Sequence, residues 1–315
     1  MNKRNNQVIG CVCAIVCCCF WGFSFLFTKH ATASVSAVTL LAWRFTIAFL
    51  AMSVCVVAGM MKINLKGKRI GLLLTIAILQ PVVYYTGETL GIQYTTASES
   101  GVMIACIPIV TLLLSALILK KRPAGVQVMG ICITMFGVIV CVLSKGMEAA
   151  FNPWGYAMLV VAVVSYGMYS VLAEKANEFT SGEKTYIMLA MGAVAFDIAA
   201  IIQNVRAGTM MDCLMLPFHD MDFLMAIVYL SIGCSVVAFF LFNVAIDLLG
   251  TNRASSFSGM STLMSIIAGI IVLHEPFTPV QMIGTVCVIG GVYLANSTLG
   301  EKLVFFKRVK QTHKL

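Results

Sequence analysis

The chain has 315 residues, of which 60% are hydrophobic and only 11% charged. Soluble domains carry about 25% charged residues, and one this apolar would expose large greasy patches, so the composition excludes an ordinary soluble fold and fits a lipid bilayer. The net charge of +8 does not point to nucleic acid, because the basic residues sit at the ends of apolar segments and form no continuous groove.

A spanning helix needs about 20 apolar residues, and ten such segments follow one another along the chain. The first, 8–28, follows Lys3 and Arg4 like a signal peptide. Its apolar run exceeds the usual core of about 7–15 residues, so it is read as a retained span. It carries Trp21-Gly22 and the Cys17-Cys18-Cys19 run. The second, 36–58, carries Arg44. The third, 70–92, carries Gln80, Pro81, Tyr84, Gly87, Glu88 and Gly91. The fourth and fifth are 99–119 and 124–143. The sixth, 154–173, carries Tyr166, Tyr169 and Ser170, and the seventh, 185–205, carries Asp197. The eighth, 222–248, carries Ser235, Phe239, Phe242 and Asn243. The ninth, 255–273, is dotted with Ser255, Ser258, Gly259 and Ser261. The tenth is 280–297. These runs are continuously apolar, whereas barrel strands alternate over about 10 residues, so the expected spans are helices.

An even number of spans puts both termini on one side. If that side is cytoplasmic, it receives 17 basic residues, among them Lys3, Lys68, Lys121, Lys184 and the 301–315 tail. Lys29, Lys145 and Arg206 fall outside, and Arg44 inside a span completes the 21. Such an asymmetry is what the positive-inside rule requires, and a plasma or inner membrane is the expected location. Eleven of the twelve cysteines fall within apolar runs and only Cys213 in a loop. They are therefore read as small packing residues, not as a disulfide frame.

The stretch from Lys121 to Gly130, with Gln127, recurs from Glu275 to Gly284, with Gln281, 154 residues later. The same offset carries Gly137-Val138 onto Gly291-Val292. Each half then has five spans, and because five is odd the second half enters the membrane inverted. The boundaries are 1–148, 149–300 and a basic tail, 301–315. Inverted repeats around a site at mid-membrane are typical of secondary transporters. Trp21-Gly22, Arg44 and the run from Val272 to Gly291 resemble the EamA-type drug/metabolite transporter superfamily, over essentially the whole chain. Lys121 stands where that family carries Glu. The resemblance implies alternating-access transport of small metabolites, often amino acids, commonly outward.

Charged groups at membrane depth are functional candidates. Arg44 and Asp197 each lie eight residues from the outer end of their spans, roughly 12 Å deep at about 1.5 Å per residue. Arg44 could pair with Asp197 or with Glu88, or any of the three could handle substrate or protons. Gln80, Tyr84 and Glu88 share one helix face, which should line a cavity or a helix contact, because lipid would leave them unsatisfied. Trp21, Tyr166, Tyr169, Phe239, Asn243 and Ser258 complete the expected cavity; the alternative for them is packing or an interfacial belt. No nucleotide-binding loop, protease zinc motif or serine-hydrolase elbow occurs, so no catalytic residue, cofactor or metal is expected. His274-Glu275 lacks a further ligand nearby. The expected partners are lipid and a small-molecule substrate, with a proton as possible coupling ion and the oligomeric state open. A channel or accessory scaffold is the alternative, and an intramembrane enzyme the weaker one, because the buried acids are scattered singly.

Overall fold

The computed structural model describes residues 3–32, 35–94, 103–120, 123–143, 152–261, 263–264, 267 and 279–296. Lys121, His274-Glu275, Lys145 and the 301–315 tail lie outside the described residues. The helices are α1 (Lys3–Thr32), α2 (Ala37–Val57), α3 (Ile70–Ala77), α4 (Tyr84–Tyr94), α5 (Ile107–Ile118), α6 (Gly125–Leu143) and α7 (Pro153–Lys175). Next come α8 (Ser181–Ala207), α9 (Met210–His219), α10 (Met221–Val228), α11 (Ala238–Leu249), α12 (Thr251–Ser256) and α13 (Pro279–Asn296). No strand occurs among the described residues.

Six helical stretches among them are long and apolar enough to cross a membrane: Asn5–Ser24, Ala37–Val57, Ile70–Gly91, Pro153–Lys175, Ser181–Ala207 and Met221–Leu249. Ile107–Ile118, Gly125–Val140 and Pro279–Ala295 are apolar but shorter. The predicted ninth span is described only in part. Cys213 sits in α9, a short helix, where a loop was expected.

Local chemistry sets the helix ends. Ser36 caps α2 by accepting from the Thr39 amide, and Asn152 caps α7 ahead of Pro153. Thr180 and Glu183 form a reciprocal capping box on α8, and Gly208 closes that helix at φ 71°, a conformation that favours glycine.

One helix is broken and a second is locally widened. Pro81 lacks an amide hydrogen and disfavours helical geometry in the residue before it. Gln80 accordingly leaves the helix, at φ −135° and ψ 111°, within the wide turn Ile78–Val83 that joins α3 to α4. A second wide stretch, Tyr229–Val237, is π-wound and carries the helix from α10 into α11 without a break. The 154-residue offset of the sequence repeat carries 78–83 onto 232–237, inside that second stretch. Both halves of the chain therefore depart from α-helical geometry at the corresponding place, the first by a break at Gln80 and the second by wider π winding without a break. Side chains take up the carbonyls so released. Ser165 donates to Leu79 O at 2.7 Å, Ser235 to Leu230 O at 3.0 Å, and the Trp21 indole to Cys234 O at 3.2 Å.

α6 and α13 pack through their glycines. A Cβ on Gly137 would stand 2.6 Å from Gly284 O, and one on Gly130 2.7 Å from Gly291 O, so backbone meets backbone. The lower number on one helix meets the higher on the other, so the two run antiparallel. Exchanging the halves by 154 residues turns the 130–291 contact into 284–137, and the seam maps onto itself.

Candidate functional site

Between the break and the π-wound stretch lies a cluster of rings. Trp21 of α1 sits 5.2 Å from Phe242, 6.2 Å from Tyr166 and 6.3 Å from Phe239, centroid to centroid. Tyr166 meets Tyr84 at 5.2 Å and Tyr169 at 5.5 Å, and Tyr84 meets Tyr85 at 5.0 Å. Such edge and tilted contacts each add about 0.5–1.5 kcal/mol beyond burial. The rings therefore close on one another. Two open recesses lie elsewhere, one of about 670 Å³ beside Gln203 and Arg206 and one of about 660 Å³ beside Glu174 and Asp247.

The structure thus brings together Trp21, Tyr84, Tyr166, Tyr169 and Phe239, with Gln80 buried in the break beside them. The Tyr84 hydroxyl donates to Glu88 at 2.8 Å, one turn on. The glycines of that stripe do a different job: a Cβ on Gly87 would stand 2.8 Å from Met158 O, so this face also packs tightly on α7. Asn243 is fully buried. It accepts from the Tyr169 hydroxyl at 3.2 Å and donates to Thr185 at 3.2 Å and to Phe239 O at 3.0 Å, knitting α7, α8 and α11. Ser258 lies apart. No described ring or hydrogen bond of its side chain ties it to the cluster, and its neighbour Gly259 abuts Thr134 and Val288 of the α6–α13 seam.

The expected ion pair of Arg44 is not formed. Asp197 instead accepts from the Thr46 hydroxyl at 2.7 Å, and Glu88 is engaged by Tyr84. The reason is angular. Arg44 and Thr46 are two residues apart, about 200° around a helix at 100° per residue. Thr46 faces α8, and Arg44 faces the interior. There its Nε donates to Ser235 at 2.8 Å and its Nη2 to the Tyr85 hydroxyl at 2.9 Å, with its guanidinium 4.7 Å from the Tyr85 ring centre. Arg44 is 4% exposed, and among the described residues no carboxylate lies within 4 Å of it. It links the π-wound stretch and the break, since Ser235 belongs to the one and Tyr85 follows the other. Sequence reasoning missed Tyr85 because it lies off the Gln80-Tyr84-Glu88 face. Pro81 was the available signal, since a break there resets the helix phase.

Charges do pair at one end of the molecule. Lys68 meets Glu183 at 2.6 Å, Arg69 meets Glu178 at 2.8 Å, and fully buried Lys184 pairs with Asp247 while donating to Ala173 O at 3.0 Å. Glu183, already the capping residue of α8, also accepts from the Asn64 amide at 2.9 Å.

An all-helical, largely apolar chain whose corresponding helices depart from α geometry at matching positions is of the polytopic membrane-transporter class. The chain matches the EamA-like transporter family twice, over residues 8–143 and 153–297. It belongs to that family, and is a multi-pass membrane transporter of small molecules. It is 33% identical over 301 residues to the uncharacterized transporter YcxC of Bacillus subtilis (strain 168), covering 95% of this chain and 96% of that one. An uncharacterized transporter of Archaeoglobus fulgidus is 26% identical, over 87% of this chain and 94% of that protein. A probable amino-acid metabolite efflux pump of Escherichia coli (strain K12) is 22% identical, over 93% and 95%. A solved crystal structure superimposes with a TM-score of 0.71 over 96% of this chain and 99% of that one, at 16% identity.

Proposed function

We propose that the protein is a secondary transporter that exports small metabolites, such as amino acids or drug-like molecules, by alternating access around a mid-membrane cavity. Ten spans form two inverted halves, 1–148 and 149–300, in the plasma or inner membrane. Both termini and the 301–315 tail are cytoplasmic, and so is the end that carries Lys68 and Lys184. The observation that carries the reading is the pair of departures from α-helical geometry at corresponding positions, the break in 78–83 and the π-wound stretch 229–237. Interrupted helices in corresponding positions of two halves mark the binding site of many secondary transporters. The self-mapping antiparallel seam of α6 and α13 supports inversion, because repeats of the same sense would run these two helices parallel. The name of the Escherichia coli relative favours amino-acid metabolites and the outward direction.

Trp21, Gln80, Tyr84, Glu88, Tyr166, Tyr169 and Phe239 then line the cavity when the rings part. Asn243 braces it, and Ser258 serves the moving seam. Purified protein in proteoliposomes, offered amino acids, nucleosides and cationic drugs, tests the reading. Saturable, substrate-specific flux is expected. Unselective flux scaling with concentration would argue for a channel, and no flux of any compound would overturn the assignment.

A further inference from the structure

We infer that the substrate is a small organic acid whose carboxylate takes Arg44 as its counter-ion. The inference rests on the transport reading above and deepens it. A guanidinium is permanently charged, and burying it without a counter-charge is costly. Arg44 is 4% exposed. Its two described hydrogen bonds go to neutral hydroxyls, Ser235 and Tyr85. The acids that could have neutralised it are turned to neutral partners of their own, Asp197 to Thr46 and Glu88 to Tyr84. The cation therefore sits between the break at Gln80 and the wide turn at 229–237, touched only by hydroxyl dipoles and ring faces, with Glu88 within electrostatic reach but beyond ion-pair distance.

Nearby polar atoms are also unspent. The Tyr166 hydroxyl and the Gln80 side-chain oxygen are buried and have no hydrogen-bond partner among the described residues. Tyr166 is 4% exposed and Gln80 1%. Tyr166 touches Tyr84, whose ring touches Tyr85, the partner of Arg44. A carboxylate entering here would receive a charge-assisted, fork-shaped pair of hydrogen bonds from Arg44. Its apolar body would lie against the Trp21, Tyr166 and Phe239 faces, and the Tyr166 hydroxyl and the Gln80 oxygen would be free for its remaining polar groups. A permanently cationic or neutral ligand of the same shape would gain the ring contacts and leave Arg44 unneutralised.

The test uses matched triplets of acid, amide and amine on the same carbon body, for example phenylacetate, phenylacetamide and phenethylamine, with aliphatic analogues beside them. Binding to the purified full chain is read by Trp fluorescence and by thermal stabilisation, and transport by competition with any compound that shows flux. The acid should bind at least about tenfold more tightly than its amide and amine, the scale of one charge-assisted pair. Arg44→Gln should erase that preference, Arg44→Lys should retain part of it, and Tyr166→Phe should weaken binding by a smaller factor. The wild-type comparison stands even if Arg44→Gln folds poorly. Equal binding across a triplet, or preference for the amine, would overturn the inference. So would flux of nucleosides or cationic drugs with no acid bound, and that result would leave the transport reading standing. Acid binding without any flux would keep the site and remove the transport reading.

Discussion

Among the described residues, two places that bury cations are built on opposite plans. At the Lys68 end, Lys184 is fully buried and is answered by Asp247, and half-exposed Lys68 is answered by Glu183. At the centre, Arg44 is nearly as buried and is answered by hydroxyls and rings. A paired charge seals a structure and is strongly destabilising to break. A cation left without an acid holds its field available for something that arrives later. The bridges Lys68–Glu183 and Arg69–Glu178 also join the first half of the chain to the second, so the alternating-access reading requires them to part when that end opens.

The largest stability loss is expected for Lys184→Met. It strands Asp247 and should cost about 2–3 kcal/mol, below the fully buried range because Asp247 is 30% exposed. Melting of the purified protein checks this, and Lys184→Met with Asp247→Asn should recover part of the loss. If the double variant is no more stable than the single one, the pair is not what holds this end.

Asn243→Ala comes next. It leaves the Tyr169 hydroxyl unpaired and removes one donor from Thr185, whose hydroxyl still donates to Ser181 O, about 1–3 kcal/mol. Both expression and melting temperature should fall. On sequence grounds Asn243 is a cavity side chain whose loss lowers transport with expression near wild type; its bonds across three helices add a cost in stability.

Arg44→Gln is smaller in stability, about 1–2 kcal/mol, because two bonds to neutral hydroxyls are lost and no acid is stranded. Smallest is Arg69→Gln. Arg69 is 57% and its partner Glu178 28% exposed, and surface pairs contribute roughly 0–1 kcal/mol, less in salt. A loss above that range at high ionic strength would break the contrast between the ends.

The amino-acid order already carried much of this. Six of the expected spans reappear as long apolar helices, and the Gly130/Gly137 and Gly284/Gly291 spacing marked in advance the residues that meet across the α6–α13 seam. Ring composition brought Trp21, Tyr84, Tyr166 and Phe239 to one centre. Helix azimuth was the part hidden from depth counting: Arg44 and Asp197 match in depth, yet Arg44 points about 200° from the residue that reaches Asp197. Lys184 and Asp247 were hidden for another reason. Charges near span ends count toward orientation, and which of them meet depends on how the helices are placed side by side.

The central claim is that the charge at the middle serves transport and the charges at the end serve stability. Arg44→Gln measured side by side for proteoliposome flux and for melting temperature tests it most directly. Flux should fall by about tenfold or more, while melting stays closer to the wild type than that of Lys184→Met. Retained flux, or melting as low as that of Lys184→Met, would contradict it.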